Sequence, residues 1–367
     1  MSTPQAGSGG SGRGAFGAFA VAGAAMGAVG AIGLGAYCYL QRYLARNYSH
    51  IDPQLRLSGF IMDRFLGAPT EGAIRRFAAL TKVYRPPLPA RPDLHTEEFS
   101  IPSRSGGPDI PVVMMRPLHG TPDATGLLWL HGGGIAAGNP HIEARFLHLF
   151  PRVTNTVLIA PDYRLSVDAP YPAAINDCYD TLAWMWDHAE ELGINPRQLA
   201  IAGGSAGGGL TAATTLRARD RGEIPIAFHF PLYPMIDDRM QSASMRGNKE
   251  FVWNEARNRI AWRLYLGALY ESAAIPTDAA PARENDLQGM PPAYTYVGDC
   301  DPFRDDTIAW IQGLQDAGVE ATYDIYPGAF HAFDVLNADV SHQALERLLE
   351  RYQYAVENWF SPGRSAD

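Results

Sequence analysis

The chain has 367 residues, 46% of them apolar, and 39 acidic against 30 basic side chains give a formal charge of −9. Such a chain is longer than one typical domain and apolar enough for a large core, and its negative balance argues against nucleic acid, which favours a basic face. The three cysteines, Cys38, Cys178 and Cys300, are too few and too scattered for a disulfide framework or a zinc cluster, and no metal-ligand spacing stands out.

Residues 1–14 read as a flexible Ser/Gly tail. From Ala15 to Leu40 no residue is charged. A helix over that stretch would be about 39 Å long, enough to cross a bilayer. Gly23 and Gly27 have the spacing of close helix packing in lipid. Residues 15–40 therefore read as a membrane anchor, with a disordered Gly/Ala-rich arm and a secretion signal as the competing readings. Arg42 and Arg46 behind the segment would keep the following domain on the cytoplasmic side, and a chain without a span would be cytoplasmic.

Strands are expected near 111–116, 126–130, 156–161, 198–202, 226–232, 293–298 and 321–326. Helices are expected near 173–191, 205–219, 304–317 and 341–358. In the last of these, Leu345, Leu348, Leu349, Tyr352 and Val356 recur at three- and four-residue spacing and give one apolar face. Alternating strands and helices predict an α/β fold with a mostly parallel central sheet flanked by helices.

Chemistry-bearing motifs sit where these strands end. The strand near 126–130 runs into His131-Gly132-Gly133-Gly134. Glycines let a substrate oxygen approach main-chain amides without meeting a Cβ, so Gly132, Gly133 and Gly134 are candidate oxyanion-hole residues. The amides of Gly133 and Gly134 would converge there with that of Ala206, each such donor typically worth about 3–4 kcal/mol to a transition state. His131 reads as a structural hydrogen-bonding residue. Ser205 lies in Gly203-Gly204-Ser205-Ala206-Gly207-Gly208 directly after the next strand. A G-x-S-x-G between strand and helix is a nucleophile elbow, a strained turn that exposes the serine hydroxyl.

An acid and a base should follow in that order. Asp301 comes just after the strand near 293–298, and His331 just after the one near 321–326. Both fall at carboxyl ends of strands, where open α/β sheets place their ligands. Asp299, Asp305 and Asp306 compete with Asp301. Aspartates clustered on a loop are usually solvated or cap the next helix, and Asp305 and Asp306 read that way. His342, at the start of a helical pattern, reads as a surface residue.

Taken together, the motifs resemble those of the bacterial hormone-sensitive-lipase-type esterases, a branch of the α/β-hydrolases. The likeness runs through His131-Gly132-Gly133-Gly134, Asp162-Tyr163-Arg164-Leu165, Pro170-Tyr171-Pro172-Ala173-Ala174 and the Ser205 elbow. It continues through Tyr233-Pro234-Met235-Ile236-Asp237-Asp238-Arg239, Trp253-Asn254, Tyr265-Leu266-Gly267, Asp301-Pro302-Phe303-Arg304-Asp305 and Tyr326-Pro327-Gly328-Ala329-Phe330-His331. By resemblance Ser205, Asp301 and His331 take the three catalytic roles, no cofactor or metal is required, and the substrate is a small ester of short to medium acyl chain. A cap is implied from residues 41–90 and an insertion near 238–285, over a core of residues 91–367. Phe60, Ile61, Phe65, Phe251, Trp253 and Trp262 would line its pocket or form its own core. The resemblance departs at Gly204, where many relatives have aspartate, at Asp168, often glutamate, and at Ala332, often glycine. An amidase or arylacetamide-type deacetylase using the same residues, and a non-catalytic ligand-binding protein on the same fold, are the other readings. A membrane surface and a second copy of the chain stay open as partners.

Overall fold

A computed structural model describes residues 34–88 and 90–361. The tail and most of the expected anchor, with Gly23 and Gly27, lie outside these residues. Among the described residues no helix is long and apolar enough to cross a membrane.

Eight strands form one sheet: β1 (Leu94–Ile101), β2 (Ile110–Pro117), β3 (Ala124–Leu130), β4 (Thr156–Pro161), β5 (Ile194–Gly204), β6 (Phe228–Leu232), β7 (Ala293–Gly298) and β8 (Ala321–Tyr326). Their order is β1-β2-β4-β3-β5-β6-β7-β8. The first two strands pair antiparallel with each other, β2 pairs antiparallel with β4, and every other pairing is parallel. Strands β3 and β4 are buried along their whole length, as expected where helices cover both faces of a parallel sheet. Successive residues serve opposite faces. Leu128, Leu130, Ile159 and Ile201 pack into one apolar layer, while Leu127, Trp129, Leu158, Ala200 and Ala202 pack into the other.

The larger helices are α1 (Leu34–Asn47), α2 (Pro53–Leu66), α3 (Glu71–Val83), α4 (Ala173–Asp187), α5 (Ala206–Arg221), α6 (Glu255–Leu266), α7 (Arg304–Asp316) and α8 (Asp339–Asn358). Local chemistry starts several of them. The side chains of Asp52, Thr70 and Asn254 accept backbone N–H groups at the first turns of α2, α3 and α6, which satisfies donors a helix cannot. The sequence reading gave no strand at β1. That edge strand is buried only at its two ends, so burial imprints no apolar alternation on it.

The sheet order positions the site. Strand β3 pairs with β4 on one side and β5 on the other, with Leu130 opposite Gly203. The chain thus reverses direction of travel across the sheet between β4 and β5, and a crevice opens at the carboxyl ends of neighbouring strands. The loops after β3 and β5 are forced together there, and those after β7 and β8 arrive from the same edge.

Candidate active site

Ser205 stands between β5 and α5 at φ 59°, ψ −117°, a region that costs an L-residue about 1–3 kcal/mol and persists only where its surroundings impose it. The surroundings do. Ser205 N–H donates to the Leu232 carbonyl (3.0 Å), and its own carbonyl accepts from Gly209 (2.9 Å) and Met235 (3.0 Å). A Cβ on Gly207 would collide with the Leu130 carbonyl, and one on Gly209 with that of Met235. Small residues are therefore demanded by main chain on both sides. Gly204 differs. A Cβ there would lie 2.8 Å from the Tyr233 hydroxyl, the far end of a side chain. That hydroxyl donates to the buried Asp334 carboxylate (2.8 Å), as does Tyr296.

The imidazole of His331 bridges the two other predicted residues. Its Nε2 is 2.7 Å from Ser205 Oγ, and its Nδ1 is 2.8 Å from Asp301 Oδ2. His331 and Asp301 are 2% and 1% exposed, Ser205 8%. With the ring neutral and protonated on Nδ1, Nδ1–H donates to Asp301 and Ser205 O–H donates to Nε2. Asp301 is fixed in turn by the Phe303 N–H, which donates to its Oδ1 (2.8 Å). The ring is walled by Tyr233 and Phe303 edge-on and by the indole of Trp253, with centroids 5.3, 5.1 and 6.2 Å away. Ala332, immediately after it, holds φ 59°, a left-handed conformation that glycine would enter without penalty.

The competing groups are occupied elsewhere. Asp299 accepts from Gly328 N–H and from Cys300, and Asp305 accepts from Ser244 N–H while pairing with Arg304. Asp306, expected to be solvated or to cap α7, lies in the first turn of that helix without making a cap bond. It is buried, and desolvation with the charge of Asp237 beside it pushes its carboxyl up to about 7. His131 stacks on Tyr163 at 4.0 Å, and burial lowers its pKa, which fits the structural role read for it.

The glycine loop corrects one expectation. Gly132 N–H does not face the serine. It donates to Glu143 Oε1 at 2.7 Å, so Gly132 is removed from the set of free oxyanion donors. Sequence identifies an amide but not its direction, and Glu143 lies eleven residues on, in a stretch with no legible motif. Among the described residues no protein acceptor is bonded to the amides of Gly133, Gly134 or Ala206. Gly133 and Gly134 take φ 116° and 65°, and a Cβ on Gly134 would run into Trp253. Of the six aromatic and aliphatic candidates near residues 60 and 251–262, Trp253 reaches the site. Phe251 and Trp262 are core residues, Phe60 meets Phe251 edge-on, and Phe65 is exposed.

A hydroxyl, an imidazole and a carboxylate in series at the carboxyl ends of a mostly parallel sheet are the arrangement of a serine hydrolase on the α/β-hydrolase fold. Comparison with known proteins agrees. A family model described as the alpha/beta hydrolase fold matches residues 127–335. Carboxylesterase NlhH of Mycobacterium tuberculosis is 30% identical over 288 residues, covering 77% of this chain and 88% of that protein. Esterase LipI of the same species is 29% identical over 64% of this chain and 73% of its own length. A solved bacterial heroin esterase superposes with a TM-score of 0.76 at 32% identity, covering 84% of this chain and 99% of that one. The chain belongs to the α/β-hydrolase family.

Proposed function

We propose that this protein is a serine carboxylic-ester hydrolase working through an acyl-enzyme. The observation that carries the reading is the continuous chain from Ser205 Oγ through His331 to Asp301, at 2.7 and 2.8 Å. Ser205 attacks the acyl carbonyl as His331 takes its proton. Asp301 holds the ring in the productive tautomer and stabilises the imidazolium that forms. The carbonyl oxygen, becoming an anion, is received by the amides of Gly133, Gly134 and Ala206. His331 then protonates the leaving alcohol, and water repeats the sequence in reverse to release the acid. The names of the relatives, carboxylesterases and esterases, support the ester as substrate class.

Helices α2 and α3 and the segment 238–285 are read as a cap. Supporting this, Arg257 of α6 bonds Asp63 (2.6 Å) and the Gly67 carbonyl (2.7 Å) at the end of α2. The same segment brings Trp253 against Gly134 and His331. An indole that close to the oxyanion loop limits the room for acyl carbons and favours short to medium chains.

The test is hydrolysis of p-nitrophenyl esters from acetyl to palmitoyl by the full chain, with Ser205→Ala as control. Turnover is expected to depend on Ser205 and to peak below about eight acyl carbons. Equal labelling of wild type and Ser205→Ala by an active-site phosphonate would overturn the nucleophile. Turnover of anilides in place of esters would make the protein an amidase.

A further inference from the structure

Glu143 takes no step in this chemistry, yet it sits between the rigid sheet and the oxyanion loop. It ends the short turn Pro140–Glu143, which Asn139 caps by accepting from Ile142 N–H at 3.2 Å. Its Oε2 accepts from Trp129 Nε1–H (2.8 Å), on β3, and its Oε1 accepts from Gly132 N–H (2.7 Å). A Cβ on Gly132 would lie 3.2 Å from that Oε1 and 3.6 Å from the Ser205 Cβ. Carboxyl, loop and nucleophile are therefore in direct layers.

Resting on the esterase reading, we propose that Glu143 is a positioning residue that clamps Gly132 so that the Gly133 and Gly134 amides converge on the oxyanion. The physical need is plain. Three consecutive glycines have more accessible backbone states than any other tripeptide, and two of these sit at positive φ. Oxyanion donors act only if held in place before charge develops. A bond from an amide to a carboxylate is about twice as strong as one between neutral partners. Here that bond pins the first glycine, and Trp129 pins the carboxylate to a fully buried strand. The clamp serves a charge present in the transition state and absent from the bound ester, so its loss should fall on kcat rather than KM.

Glu143 is also a titrating group. The side chains facing it are the Trp129 indole, the hydroxyls of Tyr163 and Tyr233 and, further off, the Asp334 carboxylate. Burial, with a smaller contribution from Asp334, pushes its carboxyl up to about 7 against the opposing pull of its two donors. Both donors suit the ionised form, because a protonated oxygen loses part of its accepting power. The clamp tightens as pH rises through neutrality.

The test uses the full chain with p-nitrophenyl butyrate and an aryl trifluoromethyl ketone that mimics the oxyanion. Glu143→Ala should lose about 100-fold in kcat, the scale of one oxyanion donor, with KM within threefold and ketone affinity weakened in step. Glu143→Gln keeps a carbonyl for Gly132 and should recover to within about tenfold of wild type, while losing the ionisation near pH 7 from its kcat profile. Wild-type kcat in Glu143→Ala, or a change confined to KM, would overturn the clamp. If Glu143→Ala does not fold, a Glu143→Gln profile identical to wild type overturns it equally. If wild type itself proves inert to esters, the function reading fails. The clamp is then judged by hydrogen exchange of residues 130–138, which should quicken in Glu143→Ala and Glu143→Gln. Unchanged exchange overturns it.

Discussion

The two glycine-rich turns of the candidate site are held to different degrees by main chain and by side chains. Around Ser205 the glycines are packed against main chain: the Leu130 carbonyl bears on Gly203 and Gly207, the Leu232 carbonyl on Gly208 and the Met235 carbonyl on Gly209. Around the oxyanion loop side chains share that role: Glu143 holds Gly132, which also lies against the Gly204 carbonyl, Trp253 covers Gly134, and Gly133 meets the Ala137 carbonyl. Main chain in a sheet cannot give way, whereas a side chain can rotate or change its charge. The proposed nucleophile is thus fixed by the fold itself. The proposed donors that complement it are fixed in part by side chains that substitution or protonation can move.

The largest effect expected from this contrast is at Gly207. Gly207→Ala would drive a methyl into the Leu130 carbonyl, and relief requires prising α5 from β3. A loss of at least about 3 kcal/mol, at the upper end for overpacking, should appear as a fall in the denaturant midpoint or as failure to fold. A variant unfolding at the wild-type midpoint would show that the elbow is less rigid than its contacts imply.

Gly134→Ala should act on rate more than on stability. The methyl meets the Trp253 ring, which can swing aside, but φ 65° is unfavourable for alanine. We expect about 1–2 kcal/mol of destabilisation and a 10- to 100-fold fall in kcat/KM, because one donor is turned from its direction. The double variant Gly134→Ala, Trp253→Ala should regain part of that rate. No recovery would mean that the backbone angle, rather than the indole, sets the loop.

Gly204 breaks the pattern within the elbow, since its neighbour is the Tyr233 hydroxyl. Gly204→Ala should therefore cost only about 1 kcal/mol and leave kcat within a few-fold, in contrast to Gly207→Ala. Loss as large as at Gly207 would show that the Tyr233–Asp334–Tyr296 group is as stiff as main chain.

The same distinction explains what could be read from sequence. The strands β2 to β8, the Ser205 elbow and the loop positions of Asp301 and His331 are written locally, in apolar runs and in residues that must directly follow them. Strand β1 has no legible pattern because only its ends, Leu94 and Ile101, are buried, while Thr96, Glu97, Glu98 and Ser100 face water. Glu143 was missed because its partners, Trp129 and Gly132, lie fourteen and eleven residues away and meet it only after β3 has docked. Gly132 was misassigned for the same reason, since a motif lists amides without the side chain that turns one of them away. Trp253 could not be told from Phe251 and Trp262 because all three lie in one aromatic-rich stretch. Only its place against Gly134 and His331 separates it.

The finest test of the contrast is a pH dependence. Glu143 is raised from 4.5 to about 7 in the folded state. Below its unfolded value both states are protonated, so the shift has no effect on stability. Between about 4.5 and 7 the unfolded chain has released the proton and the folded one has not, so stability falls as pH rises, and above 7 the loss is constant. Partial solvent access reduces the size, and we expect about 1 kcal/mol between pH 5 and pH 8. Glu143→Gln should lack that portion of the slope, while Asp306, raised in the same direction, contributes equally to both proteins. The measurement is the difference in denaturant midpoint between pH 5 and pH 8 for each protein, in which any constant effect of the substitution cancels. Parallel slopes would mean that Glu143 is ionised in the folded protein at pH 5, its two donors outweighing burial, and the oxyanion loop would then be as indifferent to neutral pH as the elbow.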